Sequence, residues 1–253
     1  MAMAFSLAAC GSDATSAPPA ESSGTTAPER TADFCRTVVD IDKTVNSTPP
    51  PEALPPDQVE AVMGQIAAQL DPLLTRAEQT APAAVSGDVA TLVRLTRQGF
   101  GGDQAAFESP ELAPADAKVD RFMLAECGYD ENKVTAVNFE FQGLSDSLPA
   151  GTHAITLTNE GDQLHEIAVA RINDDVTMPL DQLLMLPMEE ALSKIELAGI
   201  AFAAPGETTT AFLDVRPGRY FAACFIPEGT TTTAEGQGPP HFTMGMLTEF
   251  AVS

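Results

Sequence analysis

The sequence predicts an α+β protein in two folded parts: a small helical bundle over residues 31–130 and a β-sandwich over residues 131–253. Three observations carry this. Apolar residues recur every three or four positions through the first part, the spacing of a helix face. From Val134 the pattern changes to alternation by two, broken by Gly and Pro turns. All three histidines lie in the second part, at 153, 165 and 241.

The chain opens Met-Ala-Met-Ala-Phe-Ser-Leu-Ala-Ala-Cys-Gly. Leu7-Ala8-Ala9-Cys10 resembles the bacterial lipobox, which implies a lipid on Cys10 and a signal remnant over residues 1–10, although the apolar run is short and no basic residue precedes it. Residues 11–30 are Ser, Thr, Ala, Pro, Gly and Glu with almost no large apolar side chain. Such a stretch cannot bury enough surface to offset its ordering entropy, so it reads as a disordered tether.

Four helices are expected next. The first covers about residues 32–46, with Val38, Val39, Ile41 and Val45 as its apolar positions. The second starts at Asp57-Gln58-Val59-Glu60, a capping-box pattern, and runs on through Val62, Met63, Ile66 and Leu70. Val89, Leu92 and Val93 mark a third. Val119, Phe122 and Met123 mark a fourth, with Gly128 as its C-cap. Cys35 opens the first helix and Cys127 closes the last. Antiparallel neighbours bring those ends together, so a disulfide is expected, worth ~4–5 kcal/mol for so long a loop. The Met178, Met185 and Met188 group reads as core packing on a helical insertion over residues 174–198, where Leu180, Leu183 and Leu184 set the stripe and Pro187 is at N1 of a second turn.

The strands are read at Val137 to Phe141, His153 to Thr158, Glu166 to Ala170, Thr209 to Val215, Tyr220 to Ile226 and Leu247 to Val252. Two imidazoles, a thiolate and a thioether stand at their ends, and soft sulfur with imidazole is the donor set that suits copper.

Four segments in order resemble the plastocyanin-like cupredoxins. They are Asn159-x-Gly161-x-x-x-His165, Pro205-Gly206-Glu207-Thr208, Pro217-Gly218-x-Tyr220-x-x-x-Cys224 and His241-x-x-x-Gly245-Met246. The resemblance covers about residues 133–253 and implies a Greek-key sandwich with a type 1 copper at one pole, used for one-electron transfer. By position the copper ligands would be His165, Cys224, His241 and axial Met246, with His241 as the electron port if its outer edge is exposed. Strand parity agrees: His165, Ile167 and Val169 share a face, as do Tyr220, Ala222 and Cys224. Taken singly, Cys224 reads equally as a small buried hydrophobe and His165 as a strand-end histidine bonded to a carbonyl. Met244 competes with Met246 and reads as packing. His153 lies ~20 Å from the ligand pole by strand rise and reads as structural. The family joins its Cys and second His by a very short loop. Here Phe225 to Pro240 intervene, a loop that with the insertion could serve as a lid or docking surface.

Composition narrows the function. With 13 basic and 36 acidic residues the net charge is -23, which repels nucleic-acid phosphates and anionic lipid. The membrane is therefore expected to be met only through the lipid anchor, and the protein partner to be a redox protein. No catalytic triad or paired-carboxylate signal is present, so an enzyme is not expected. The expectation is an extracytoplasmic copper electron carrier. Copper sequestration or delivery, and a metal-free interaction module, are the alternatives.

Overall fold

A computed structural model describes residues 26–47, 55 and 57–253. Cys10 and residues 11–25 of the expected tether lie outside them. Four helices form the first part: α1 (Ala27–Asn46), α2 (Val59–Thr80), α3 (Ser86–Phe100) and α4 (Leu112–Glu126). The first begins earlier than its apolar stripe indicated. Thr26 and Glu29 form a reciprocal capping box, with Glu29 accepting from the Thr26 amide at 2.8 Å. Residues 27–30 are thus helix and not tether, because the cap satisfies amides that the apolar pattern does not register. The cap expected at Asp57 does not form. Gln58 already has helical torsions, leaving Asp57 in the preceding turn, where Gln58 N–H donates to the Pro55 carbonyl.

Phe34, Leu70, Leu74, Val93, Val119 and Met123 fill the bundle core at helical spacing. Each such side chain contributes ~1.5–3 kcal/mol by leaving water. Cys35 and Cys127 form a disulfide with Cα atoms 5.8 Å apart. Cys127 is the C-cap of α4 and Gly128 comes after it at φ +69°, the left-handed residue expected there. Cys35 lies well inside α1, since that helix starts at Ala27.

The second part is a two-sheet sandwich. One sheet has the order β2-β1-β4-β7, built from β1 (Asp130–Val137), β2 (Glu140–Gln142), β4 (Gly151–Asn159) and β7 (Thr208–Val215). The other has the order β3-β9-β8-β5-β6, from β3 (Ser147–Leu148), β5 (His165–Ile172), β6 (Ile195–Ala203), β8 (Gly218–Ala223) and β9 (Leu247–Val252). Chain segments cross between the sheets, giving the Greek-key arrangement that the resemblance implied.

Three details differ from the expectations of the sequence. In β1 the inward residues are Val134 and Ala136, while Phe139 stands in the β1–β2 turn at φ +65°. A hairpin turn, with its own geometry, interrupts the alternation read through Val137, Phe139 and Phe141. The helical insertion ends sooner, as α5 (Leu180–Leu184) and α6 (Met188–Leu192), with Pro187 at the N-cap. After α6 the chain enters β6, which pairs along the whole of β5. The β6 sequence, Ile-Glu-Leu-Ala-Gly-Ile-Ala-Phe-Ala, is nearly all apolar around Gly199 and so hides its period.

Both sheets are also covered on their outer faces. Ala154 and Phe212 join the bundle core, and Phe221 and Ala223 pack against Leu180 and Leu183 of α5. That is why β5 is buried along its full length. Between the bundle and the sheet lies a cavity of about 350 Å³, with Asp42 and Asp120 among apolar walls. Burial pushes Asp42 up to about 7 and Asp120 to about 8.

Candidate metal centre

The pole of the sandwich is set by the topology. In the order β9-β8-β5 each strand runs antiparallel to the next, so the end of β8 lies beside the starts of β5 and β9. His165 is the first residue of β5, Cys224 comes directly after β8, and Met246 precedes β9. His241 begins a single 3-10 turn, His241–Met244, between them. The common end of these three strands therefore places His165, Cys224 and Met246, and the connection between β8 and β9 places His241.

His165, Cys224, His241 and Met246 are each fully buried. His165 Nδ1 lies 3.1 Å from His241 Nδ1, and His241 Nδ1 lies 3.4 Å from Cys224 Sγ. The three donor groups fall within 4.8 Å of one another, the one such cluster among the described residues. Donors bonded to one ion at ~2.0–2.3 Å sit roughly 3.3–3.8 Å apart, so the spacing fits a shared metal. His165 Nε2 is buried with no hydrogen-bond partner.

Met246 packs in the same core cluster as Cys224, and its backbone closes the site. Its carbonyl accepts from the Cys224 amide at 3.1 Å, and its amide donates to the His241 carbonyl at 3.2 Å. Met244 is only half-buried. Gly245 explains the spacing: its φ is +130° and a Cβ there would lie 2.7 Å from the Phe139 carbonyl. The Phe139 ring stands edge-on to His241, with centroids 5.1 Å apart.

Three further residues brace the site. The fully buried Asn159 donates from Nδ2 to the Gln163 and Ala203 carbonyls, at 2.7 and 2.8 Å, and accepts from the Gly161 amide. It thereby shapes the turn ahead of His165. Gly161 is pressed so close that a Cβ would lie 2.7 Å from His165 Nε2. Glu166 spans the two ligand strands: its amide donates to Cys224 Sγ at 3.4 Å, and its carboxylate accepts from the Phe225 amide at 2.8 Å. Only Asn159 and Gly161 stood in the sequence motif. Glu166 had a visible signal, a charge inside an otherwise apolar strand. Gln163 had none.

Burial sets the protonation states. It pushes the Cys224 thiol up to about 12 and Glu166 up to about 7. It lowers His165 to about 4, with a smaller push from His241, and lowers His241 as well. At neutral pH both imidazoles are neutral and have a free lone pair, as a metal requires.

The condition set for an electron port at His241 is not met, and the packing expected of the insertion methionines holds only in part. His241 has no exposed outer edge: Gln163 meets its Nε2, the Phe139 ring stands against it, and Gly229 of the Phe225–Pro240 loop bonds the same Gln163 oxygen. Of the insertion methionines only Met178 packs; Met185 and Met188 are 76% and 61% exposed. One-turn helices have few inward positions, and the leucines occupy them. His153 is structural, as expected: its Nε2–H donates to the Pro149 carbonyl at 2.8 Å and its Nδ1 accepts from Asn132.

Among solved structures, the chain is similar over about half its length to auracyanins and a rusticyanin. An auracyanin from Roseiflexus castenholzii is 18% identical, with 50% of this chain and 99% of that chain covered and a TM-score of 0.34. Auracyanin A from Chloroflexus aurantiacus, described as a "blue" copper protein, is 18% identical over 50% and 100%, with a TM-score of 0.32. Rusticyanin from Thiobacillus ferrooxidans is 16% identical over 49% and 76%, at 0.31. No protein-family model matches, and no curated protein matches by sequence. The strand order and the buried His-Cys-His cluster on their own define the second part as a cupredoxin-like sandwich with a candidate metal centre.

Proposed function

We propose that the protein binds copper through His165, Cys224, His241 and Met246 and carries single electrons. The observation that carries this reading is the convergence of a buried thiol and two buried imidazoles at one pole. Two neutral imidazoles with one thiolate and a weak thioether suit copper, which supplies reversible one-electron chemistry when bound. The chain's own part is to hold the donors rigidly, exclude water and bond the sulfur through the Glu166 amide. Among the described residues one candidate metal centre is found, and no triad or carboxylate pair stands beside it, which supports a carrier in preference to an enzyme.

The location belongs to the same proposal. A disulfide suits an oxidising compartment, and the Leu7-Ala8-Ala9-Cys10 motif would anchor the protein by lipid outside the cytoplasm. No helix among the described residues is long and apolar enough to cross a membrane. The partner would be a redox protein with a basic face, given the net charge of -23. One observation favours a second reading, copper storage or delivery: His241 is sealed from solvent, which suits slow release as well as it suits electron transfer.

The test is the absorption and paramagnetic-resonance spectrum of purified protein with one equivalent of cupric ion. An intense visible charge-transfer band is expected, and it should vanish in Cys224→Ser. Persistence of the band in that variant would refute thiolate ligation. Measured electron self-exchange separates the two readings: fast exchange marks a carrier, and slow exchange with tight cuprous binding marks delivery.

A further inference from the structure

The loop from Phe225 to Pro240 is long and internally braced. Its neck is closed by a bridge between Pro227 and Pro240, and Glu228 bonds the Pro239 carbonyl through its amide at 3.0 Å. Its first arm, at Gly229 and Thr230, lies against the segment that leads into His165, at two points. Leu164 N–H donates to the Thr230 carbonyl at 3.2 Å, and Gly229 N–H donates to Gln163 Oε1 at 2.5 Å. The same Gln163 oxygen lies 3.3 Å from His241 Nε2.

Those bonds determine a proton position. A backbone amide can only donate, so the Gln163 atom that faces Gly229 must be its oxygen. That oxygen can only accept, so His241 Nε2 must be the protonated nitrogen. The lone pair is then on His241 Nδ1, the atom that faces Cys224 and His165. The Gln163 main chain is itself held by Asn159.

We propose that Gln163 is a latch: it sets the tautomer of His241 and fastens the Phe225–Pro240 loop over it, so that metal enters and leaves only when this contact opens. The latch gates the centre proposed above and rests on that reading for its metal, but its bonds exist without one. Gln163 is a positioning residue; it acts on the metal through His241. Losing the shared acceptor frees the ring to take either tautomer and leaves this arm of the loop held there by the Leu164–Thr230 bond alone.

The experiment compares wild type, Gln163→Leu and Gln163→Glu as whole proteins. Glutamate keeps an acceptor oxygen and should behave as wild type. In metal-free protein, nitrogen-detected NMR of the imidazoles should show a single Nε2–H tautomer at His241 in wild type and in Gln163→Glu, and a mixture in Gln163→Leu. Hydrogen exchange at the Gly229 amide should be at least tenfold faster in Gln163→Leu. With copper bound, release to a chelator should also be at least tenfold faster in that variant. An unchanged tautomer, an unchanged release rate, or a Gln163→Glu protein that behaves like Gln163→Leu overturns the latch. Wild-type protein that takes up no copper refutes the metal reading instead, and the metal-free measurements then decide the latch alone.

Discussion

Cys224 shows how one side chain's surroundings set the behaviour of the site. Burial holds its proton up to about 12, while the neighbouring imidazoles are uncharged at neutral pH, each with one N–H and one lone pair. A metal must therefore displace one proton, the thiol's. Calorimetry in buffers of different ionisation enthalpy should report release of about one proton per copper between pH 6.5 and 8. Apparent affinity should fall about tenfold for each unit of pH below that, and more steeply as the histidines begin to protonate in unfolded or open forms. Gly161 sets a steric limit at the same scale. A methyl group there meets His165 Nε2 at 2.7 Å and Asn138 Oδ1 at 2.6 Å. Gly161→Ala should weaken copper binding at least tenfold in a chelator competition while leaving the helical bundle's circular dichroism unchanged.

At the scale of elements, the disulfide and the strand ends divide the work. The Cys35–Cys127 bridge closes a loop of sequence separation 92 within the helical part. In the chain-entropy model its loss should cost ~4–5 kcal/mol. Thermal melts of a Cys35→Ser, Cys127→Ser protein should show that loss, and the visible band of the copper-loaded form should survive at low temperature. The candidate metal centre depends instead on β5, β8 and β9, whose common end sets its position. Much of this was legible in the sequence. The bundle stripes, the disulfide pair and the ligand-bearing strands all derive from local period and position. The missed strand, β6, was illegible because its outward positions Ala198, Ile200 and the exposed Phe202 are apolar, which removes the polar alternation that marks a half-exposed strand. The starts of α1 and α2 were misread because the choice of cap depends on the path of the chain before the helix, and apolar spacing does not report that path.

Across the whole molecule, buried acids and buried histidines give stability a pH dependence. His165 and His241 titrate lower in the folded state than in the unfolded chain, so their contribution improves as pH rises to about 6.5 and is then constant. Asp42, Asp120 and Glu166 titrate higher when folded. The folded protein binds more protons than the unfolded one at these groups, so their stabilisation is complete below about pH 4 and is lost as pH rises through 7 to 8. Between pH 6.5 and 8 only this loss operates. The metal-free protein's Tm should fall by about 2–5 °C over that interval, and an Asp42→Asn, Asp120→Asn protein should show a flatter profile. The two aspartates border the cavity between bundle and sheet, so hydrogen exchange in α4 should rise over the same range.

The sequence by itself determined the two-part architecture, the residues that meet at the candidate centre and the inward parity of the strands that bear them. These depend on periods of two and 3.6 and on residue chemistry, which are properties of short segments. Only the tertiary structure decided what surrounds the candidate metal centre: Gln163 against His241, Glu166 across two strands, the long loop tied to Gln163 and Leu164, and two methionines left outside. Those contacts join residues as far as 78 positions apart, and no local pattern encodes a pairing that exists only once the sheets have packed and the loop has closed.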